Sequence, residues 1–409
     1  MISNHRLLRA LPLRGLRADG GTKSGRYGGS TGLVDLEPAV GFEAVNAVPE
    51  EIWIHWEARD FPDLVPMCFK SIVGGIKEEL QLLLGHLPAM RVVVHEVLPH
   101  PVEANELNNR YIGKKIVREA FRRMATPHKL RTAEVDLGYH VHGPLPTADD
   151  RPPLFLIGHP PTSAGFPTFS AMFVDRTVVT YDPRGLGRSV RRDGRVDQRP
   201  EVQVADLHAL IQALDAGPVD MVASSFGAIT ALALVAAHPG DVRTLVAYEP
   251  PLLSVLPDAV AAGRARAAVR DLYEARGFGP AMTACVDLTT WQGEFTDDYF
   301  DPERKRRFVG VPTRDDGERD HPQLSDRSWP LGDHRLDVGA LTAASTRVVI
   351  AVSEDSRDTM AGRAGLAVAR LLGQEVTILP DQPEEILGFW FPYEGDPLPF
   401  ARKLRVVLG

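Results

Sequence analysis

Apolar and polar positions along the chain follow two rhythms, and the change between them falls near residue 126. Leu33-Val34-Asp35-Leu36-Glu37 reads as a strand closed by Pro38. After Pro66, residues Met67–Leu84 carry Ile72, Ile76, Leu80 and Leu83 at helical spacing, which predicts a helix. Arg91–Val97 is rich in β-branched residues and reads as a second strand. Asn105–Met124 reads as a second helix, cationic along its exposed side. Ahead of these lies a Gly-rich, cationic leader (Gly20, Gly21, Lys23, Gly25, Arg26, Gly28, Gly29) with the character of a loop. Two strands and two helices predict a small α/β sandwich of roughly 100 residues.

Thr126–Leu130 is polar, contains Pro127 and reads as a linker. From there short apolar runs recur: Leu154–Ile157, Thr177–Tyr181, Val219–Ala223, Thr244–Tyr248, Thr346–Val352 and Glu375–Leu379. Helical segments fall between them, among them Val202–Ala216 and Phe226–Ala237. This alternation predicts a mostly parallel sheet with helices on both faces. Between Pro250 and about Leu341 the alternation stops, and a helical cap over the sheet is expected. The expected division is a small α/β domain, 1–126, and a larger α/β domain, 127–409, with the cap at about 250–341.

With 44% apolar and 24% charged residues the chain is not disordered. A net charge of −8 argues against a general nucleic-acid binder. That charge is uneven. Residues 1–126 hold 16 Lys/Arg against 15 Asp/Glu, so the rest of the chain carries −9. Two cysteines, Cys68 and Cys285, make no disulfide framework and no metal-type spacing. The start, MISNHRLLRALPLRG, lacks the apolar stretch of about 7–15 residues that a signal peptide needs. No run approaches the ~20 apolar residues of a membrane span. The expectation is a cytoplasmic protein with no membrane contact, no metal and no cofactor.

Candidate chemistry begins after the strand Val219–Ala223, where Ala223-Ser224-Ser225-Phe226-Gly227 approximates G-x-S-x-G. Small flanking residues suit a serine on a strained strand-to-helix turn. The plainer alternative is a βα turn in which Ser225 caps the helix. Two further blocks bear on the choice: Leu154-Phe155-Leu156-Ile157-Gly158-His159-Pro160, and Asp182-Pro183-Arg184-Gly185-Leu186-Gly187-Arg188-Ser189 about 40 residues before the serine. With His238-Pro239 and Tyr248-Glu249-Pro250-Pro251, these blocks resemble the α/β-hydrolase superfamily over about residues 130–409. The resemblance implies an α/β-hydrolase fold with a helical cap. It implies a serine hydrolase acting on an ester, amide or similar acyl compound, with Ser225 as nucleophile and the His159 and Phe226 N–H groups as oxyanion donors.

The rest of the triad departs from that pattern. The resemblance places an acid after the strand Arg347–Val352, where Ser356 stands in the usual slot; Asp355 is the expected substitute, with Glu249 and Glu354 as alternatives. The histidine slot is occupied by Gln382 or Pro383, and no histidine follows His334. A serine hydroxyl is a weak nucleophile without a base, and loss of a triad member costs on the order of 10⁴–10⁶ in turnover. His159 is the nearest substitute base by motif, with His321 and His334 behind it. A non-catalytic binding protein with the same pocket is the rival reading.

The N-terminal region has a resemblance of its own. Gly25-Arg26-Tyr27-Gly28, Leu36-Glu37-Pro38, Gly41-Phe42-Glu43-Ala44-Val45-Asn46, Val65-Pro66, Ile72-Val73-Gly74-Gly75-Ile76 and Val92-Val93-Val94-His95 occur in order, followed by the helix from Glu106 to Arg123. In that order they resemble domain IV of elongation factor G over about residues 20–125. The resemblance implies a ribosome or RNA partner, met through Arg118, Arg122 and Arg123. A solvated helix face explains the same charges. No G-x-x-x-x-G-K-[ST] is present, so no GTP site is expected.

Overall fold

The N-terminal apolar runs pair with one another in a sheet of their own. The computed structural model describes residues 13–19, 31–38, 62–84, 87, 90–98, 105–147, 151–158, 166, 169–170, 172–173, 175–304, 315, 317–380 and 397–409. Leu13–Asp19 (β1), Thr31–Pro38 (β2) and Met90–Leu98 (β3) form an antiparallel sheet in the order β1-β2-β3. Strand β1 has no counterpart in the sequence reading, because Arg14, Gly15, Arg17 and Asp19 dilute its apolar pattern. Polar contacts secure it: Gly15 N donates to Asp35 Oδ1 at 2.6 Å, and Arg123 donates to the Arg14 and Gly15 carbonyls.

Two helices, Val65–Leu84 (α1) and Glu106–Arg123 (α2), cross closely in this unit. The crossing depends on glycine. A methyl on Gly75 would strike the Arg110 carbonyl, and one on Gly113 the Ile72 carbonyl. Ile72, Ile112 and Ile116 reach Gly32 of β2, so both helices cover one sheet face with buried aliphatics. The chain divides into two compact units: residues 1–126 with 167–175, and residues 127–166 with 176–409.

The larger unit is built on a nine-stranded sheet: Thr126–Arg131 (β4), Val135–His142 (β5), Leu154–Ile157 (β6), Val178–Tyr181 (β7), Val190–Arg191 (β8), Val219–Ser224 (β9), Val242–Tyr248 (β10), Arg347–Ser353 (β11) and Thr377–Leu379 (β12). Its order is β12-β11-β10-β9-β6-β7-β5-β4, with β8 paired to β5. Neighbours from β12 through β7 run parallel, and β5 joins β7 antiparallel. The segment expected as a linker is β4, an edge strand. Its side chains are almost all exposed, so no apolar rhythm marked it.

Helices Pro200–Leu214 (α3) and Phe226–Ala237 (α4) pack against this sheet in a core that includes Phe155, Leu207, Ile211, Met221, Leu232, Leu245 and Ile350. The stretch after β10 carries Ala259–Arg276 (α5) and Phe278–Thr290 (α6) around a second apolar core, with no strand among its described residues. Met360–Leu371 (α7) follows β11, and Pro397–Leu408 (α8) follows β12.

The Asp182–Ser189 block proves to be a brace. Arg184 is nearly fully buried and donates to both oxygens of Asp206, at 2.8 and 2.6 Å, and to Glu134 and Asp193. Ser189 Oγ donates to the Asp182 carbonyl and accepts from Gly138 N, tying the loop back to β5. With Arg188 N donating to Asp182 Oδ2 at 2.9 Å, these bonds explain why the loop needs Asp, Arg and Ser at those positions without giving any of them a chemical role.

Candidate active site

Strand β9 is buried along its whole length and ends at Ser224; α4 starts at Phe226. Ser225 alone reverses the chain from strand to helix, at φ 54° and ψ −133°. A non-glycine residue at positive φ is strained by about 1–3 kcal/mol and persists only where its surroundings fix it. Ser225 N donates to Tyr248 O on β10 at 3.0 Å, and Ala228 N donates to Ser225 O at 2.9 Å. Gly227 is required by close approach. A Cβ there would lie 3.0 Å from Gly158 Cα and 3.1 Å from Ile157 O, at the exit of β6. Ala223, where the motif has its first glycine, is fully buried and pairs with Ala247 and Ile157. The Ser225 hydroxyl makes no cap bond to α4.

At the same level of the sheet, β10 ends at Tyr248 and Glu249 leaves it at φ 50°. Ser224 and Tyr248 are register partners, so Ser225 and Glu249 emerge from adjacent strands, roughly 4.8 Å apart at the backbone. Glu249 is 5% exposed. Its Oε1 accepts from Ser353 N at 2.9 Å and from the Ser356 hydroxyl. Thus Ser356, in the slot where an acid was expected, serves a carboxylate delivered by the neighbouring strand. Two donors on one oxygen offset the desolvation of a buried carboxylate. Ser353 Oγ links the group onward to Tyr248 OH at 2.6 Å and the Pro380 carbonyl at 3.0 Å.

Asp355 and Glu354 stand exposed on the turn after β11. Of the three carboxylates considered from sequence, Glu249 is the buried one beside the elbow. Periodicity could not have ranked it above Asp355, because the decisive bonds come from residues 104 and 107 positions away. Phe226 is the first residue of α4, at the positive end of that helix. His159, Gln382 and Pro383 lie outside the described residues.

His321 and His334 are both held below the ordinary histidine range by burial, with Asp320 and Glu201 respectively opposing the shift. His321 lines a cleft of about 710 Å³ with Arg191, Gln198, Tyr273, Phe278 and Arg327. Ser225 is not on that cleft's wall. The backbone of His334 takes part in local turns, its N donating to the Leu331 carbonyl.

Two of the three cations expected to meet RNA, Arg118 and Arg123, are engaged within their own unit. Arg118 Nε donates to the buried Glu79 at 2.9 Å. Arg123 binds Glu119 as well as the two β1 carbonyls. The Arg122 side chain lies outside the described residues. Nothing in this arrangement supports an RNA or ribosome contact. Among the described residues no helix is long and apolar enough to cross a membrane.

A mostly parallel sheet with an elbow serine between a central strand and a helix defines a class, and the sequence comparison agrees. The chain belongs to the alpha/beta hydrolase family, whose profile matches residues 135–392. It is 38% identical over 80 residues to the uncharacterized hydrolase YraK of Bacillus subtilis (strain 168), a match that spans 30% of that protein's length. Among solved structures it is similar to a thermophilic esterase from Thermogutta terrifontis, with 18% identity and a TM-score of 0.48 over 69% of this chain and 98% of that one. An alpha/beta hydrolase from Sphaerobacter thermophilus DSM 20745 gives 17% identity and a TM-score of 0.46 over 69% of this chain and 99% of that one.

Proposed function

We propose that the larger unit is a serine hydrolase of a small ester, amide or similar acyl compound, with Ser225 as nucleophile and Glu249 as the acid. The observation that carries this reading is the backbone of Ser225, strained at φ 54° between β9 and α4 with its hydroxyl unused by the helix. Attack by Oγ forms a tetrahedral oxyanion, for which the N–H groups of Phe226 and His159 are the proposed donors. The base is proposed to be His159, which follows Gly158, the residue lying against Gly227. Glu249 would hold that imidazole in the correct tautomer and stabilise its cationic form, as the carboxylate of a triad does. Asp355, the acid first expected from sequence, is less suited because water screens an exposed carboxylate.

The test is turnover of short chromogenic acyl esters. Ser225→Ala should abolish it while Ser224→Ala retains most of it. Glu249→Gln should lower it by about 10²–10⁴, the range of losing a triad orienter, and Asp355→Asn should leave it within a few-fold. Unchanged turnover in Ser225→Ala would overturn the assignment. The absence of histidine after His334 favours a second reading, a binding protein that keeps the fold without turnover. No turnover on any acyl ester, with ligand binding blocked by Ser225→Trp, would select it.

For the smaller unit we infer a module like domain IV of elongation factor G. The order β2, α1, β3, α2 supports it, each element falling on one of the sequence blocks that carry the resemblance.

A further inference from the structure

Away from the elbow, the larger unit gathers two imidazoles and a carboxylate where α3 meets the end of α4. Helix α3 supplies His208 and, one turn later, Gln212. The turn His238-Pro239-Gly240-Asp241 that ends α4 supplies the other two groups, closed by Asp241 N donating to the His238 carbonyl at 3.0 Å. His208 and His238 stack face to face, with ring centroids 3.8 Å apart and planes within 11°. His208 Nδ1 lies 2.7 Å from Asp241 Oδ2, and Gln212 Nε2 donates to Asp241 Oδ1 at 3.1 Å. One ligand atom from each of His208, His238 and Asp241 lies within 4.8 Å of the other two. The carboxylate is buried while the imidazoles are half-exposed, so solvent reaches the cluster at its rings.

We propose that His208, His238 and Asp241 form a binding site for a divalent transition-metal ion of the zinc class. Two imidazoles with one carboxylate suit zinc, nickel or copper and suit magnesium poorly. The ion would take the place of the proton between His208 Nδ1 and Asp241 Oδ2, and the ring proton of His208 moves to its other nitrogen. Tetrahedral bonds of about 2.0–2.1 Å set two ligand atoms about 3.3 Å apart, so that 2.7 Å separation opens by about 0.6 Å to admit the ion. A tilt of the stacked His238 ring brings in the third ligand, and water completes the shell. Gln212 keeps the free carboxylate oxygen oriented, as outer partners of metal sites do. His238 caps the C-terminal end of α4, where the helix dipole favours positive charge. The site is independent of Ser225, so it stands or falls separately from the hydrolase reading.

The test is calorimetric titration of the untagged full chain with Zn²⁺ alone. One equivalent should bind with Kd at or below about 10 μM, and millimolar Mg²⁺ should not compete. His208→Gln and His238→Gln should each weaken binding at least tenfold, while Ser225→Ala leaves it unchanged. Both glutamine variants replace half-exposed rings, and wild-type-like circular dichroism and melting curves are the check that they fold. A wild type that takes up no stoichiometric Zn²⁺ at 100 μM free metal would overturn the proposal. So would a His208→Gln/His238→Gln double variant that binds as tightly as wild type.

Discussion

Ser225 holds a backbone angle that glycine adopts freely, and that angle allows its proposed chemical role to be separated from its structural one. Ser225→Gly is therefore expected to abolish acyl turnover while leaving the unit as stable as wild type, or more stable by about 1 kcal/mol. Thermal melting should show a rise of up to about 2–4 °C; a fall of several degrees would mean the turn is not strained. Other single groups set the response to acid. Hydrogen bonds from Arg195 and then Arg199 outweigh partial burial and hold the Asp197 carboxyl down at about 2. Arg191, Arg195 N and Arg184 hold Asp193 lower still. A carboxylate depressed by folding contributes stability that is present above its ordinary value of 3.8 and lost as pH falls through its folded value. Asp197→Asn should therefore melt below wild type at neutral pH, and the two curves should converge between pH 4 and 2. A gap as wide at pH 2 as at neutral pH would contradict the linkage.

At the scale of elements, the parallel strands of the larger unit were legible because each is short and mostly apolar, with a polar residue only here and there, such as Asp220 in β9 and Arg243 in β10. Strands β6, β7 and β9 are buried along their full length, and such strands cannot hide among polar segments. The elements that sequence missed are those whose partners are polar. Strand β1 is tied down by Asp35 and Arg123, and β4 lies exposed at an edge; neither leaves a hydrophobic period. The candidate site divides the same way. The strained turn at its proposed nucleophile, Ser225, was marked in advance by the elbow motif, a local constraint on small residues. Its carboxylate was not, because Glu249 is set apart from Asp355 by hydrogen bonds across more than a hundred residues. The elbow also depends on the strand beside it. Gly227→Ala would push a methyl to 3.0 Å from Gly158. The expected outcome is a loss of turnover of tenfold or more with Ser225 intact, since misplacement by about 1 Å costs on the order of 10²-fold. Unimpaired turnover would show that the β6 exit takes no part.

On the scale of the whole chain, each compact unit carries its own core and its own packing weakness. The crossing of α1 and α2 tolerates no side chain at Gly113, so Gly113→Ala should destabilise the smaller unit by several kcal/mol, as overpacking against backbone does. If the units fold separately, calorimetry should show one transition moved down and the other unmoved. A common shift of a single transition would mean that they fold as one.

The position of β4 bears on how this protein can be divided in the laboratory. Residues 126–131 look dispensable in sequence, yet they cover the margin of β5, whose first four residues are buried. A truncation begun at about residue 132 would bare the hydrogen-bonding rim of β5. Bare rims of that kind recruit other chains edge to edge. Lys129, Arg131 and Pro127 are the residues that make β4 a poor template for such association. An insoluble fragment cut there would report a missing guard strand, whereas a fragment begun at Thr126 retains it.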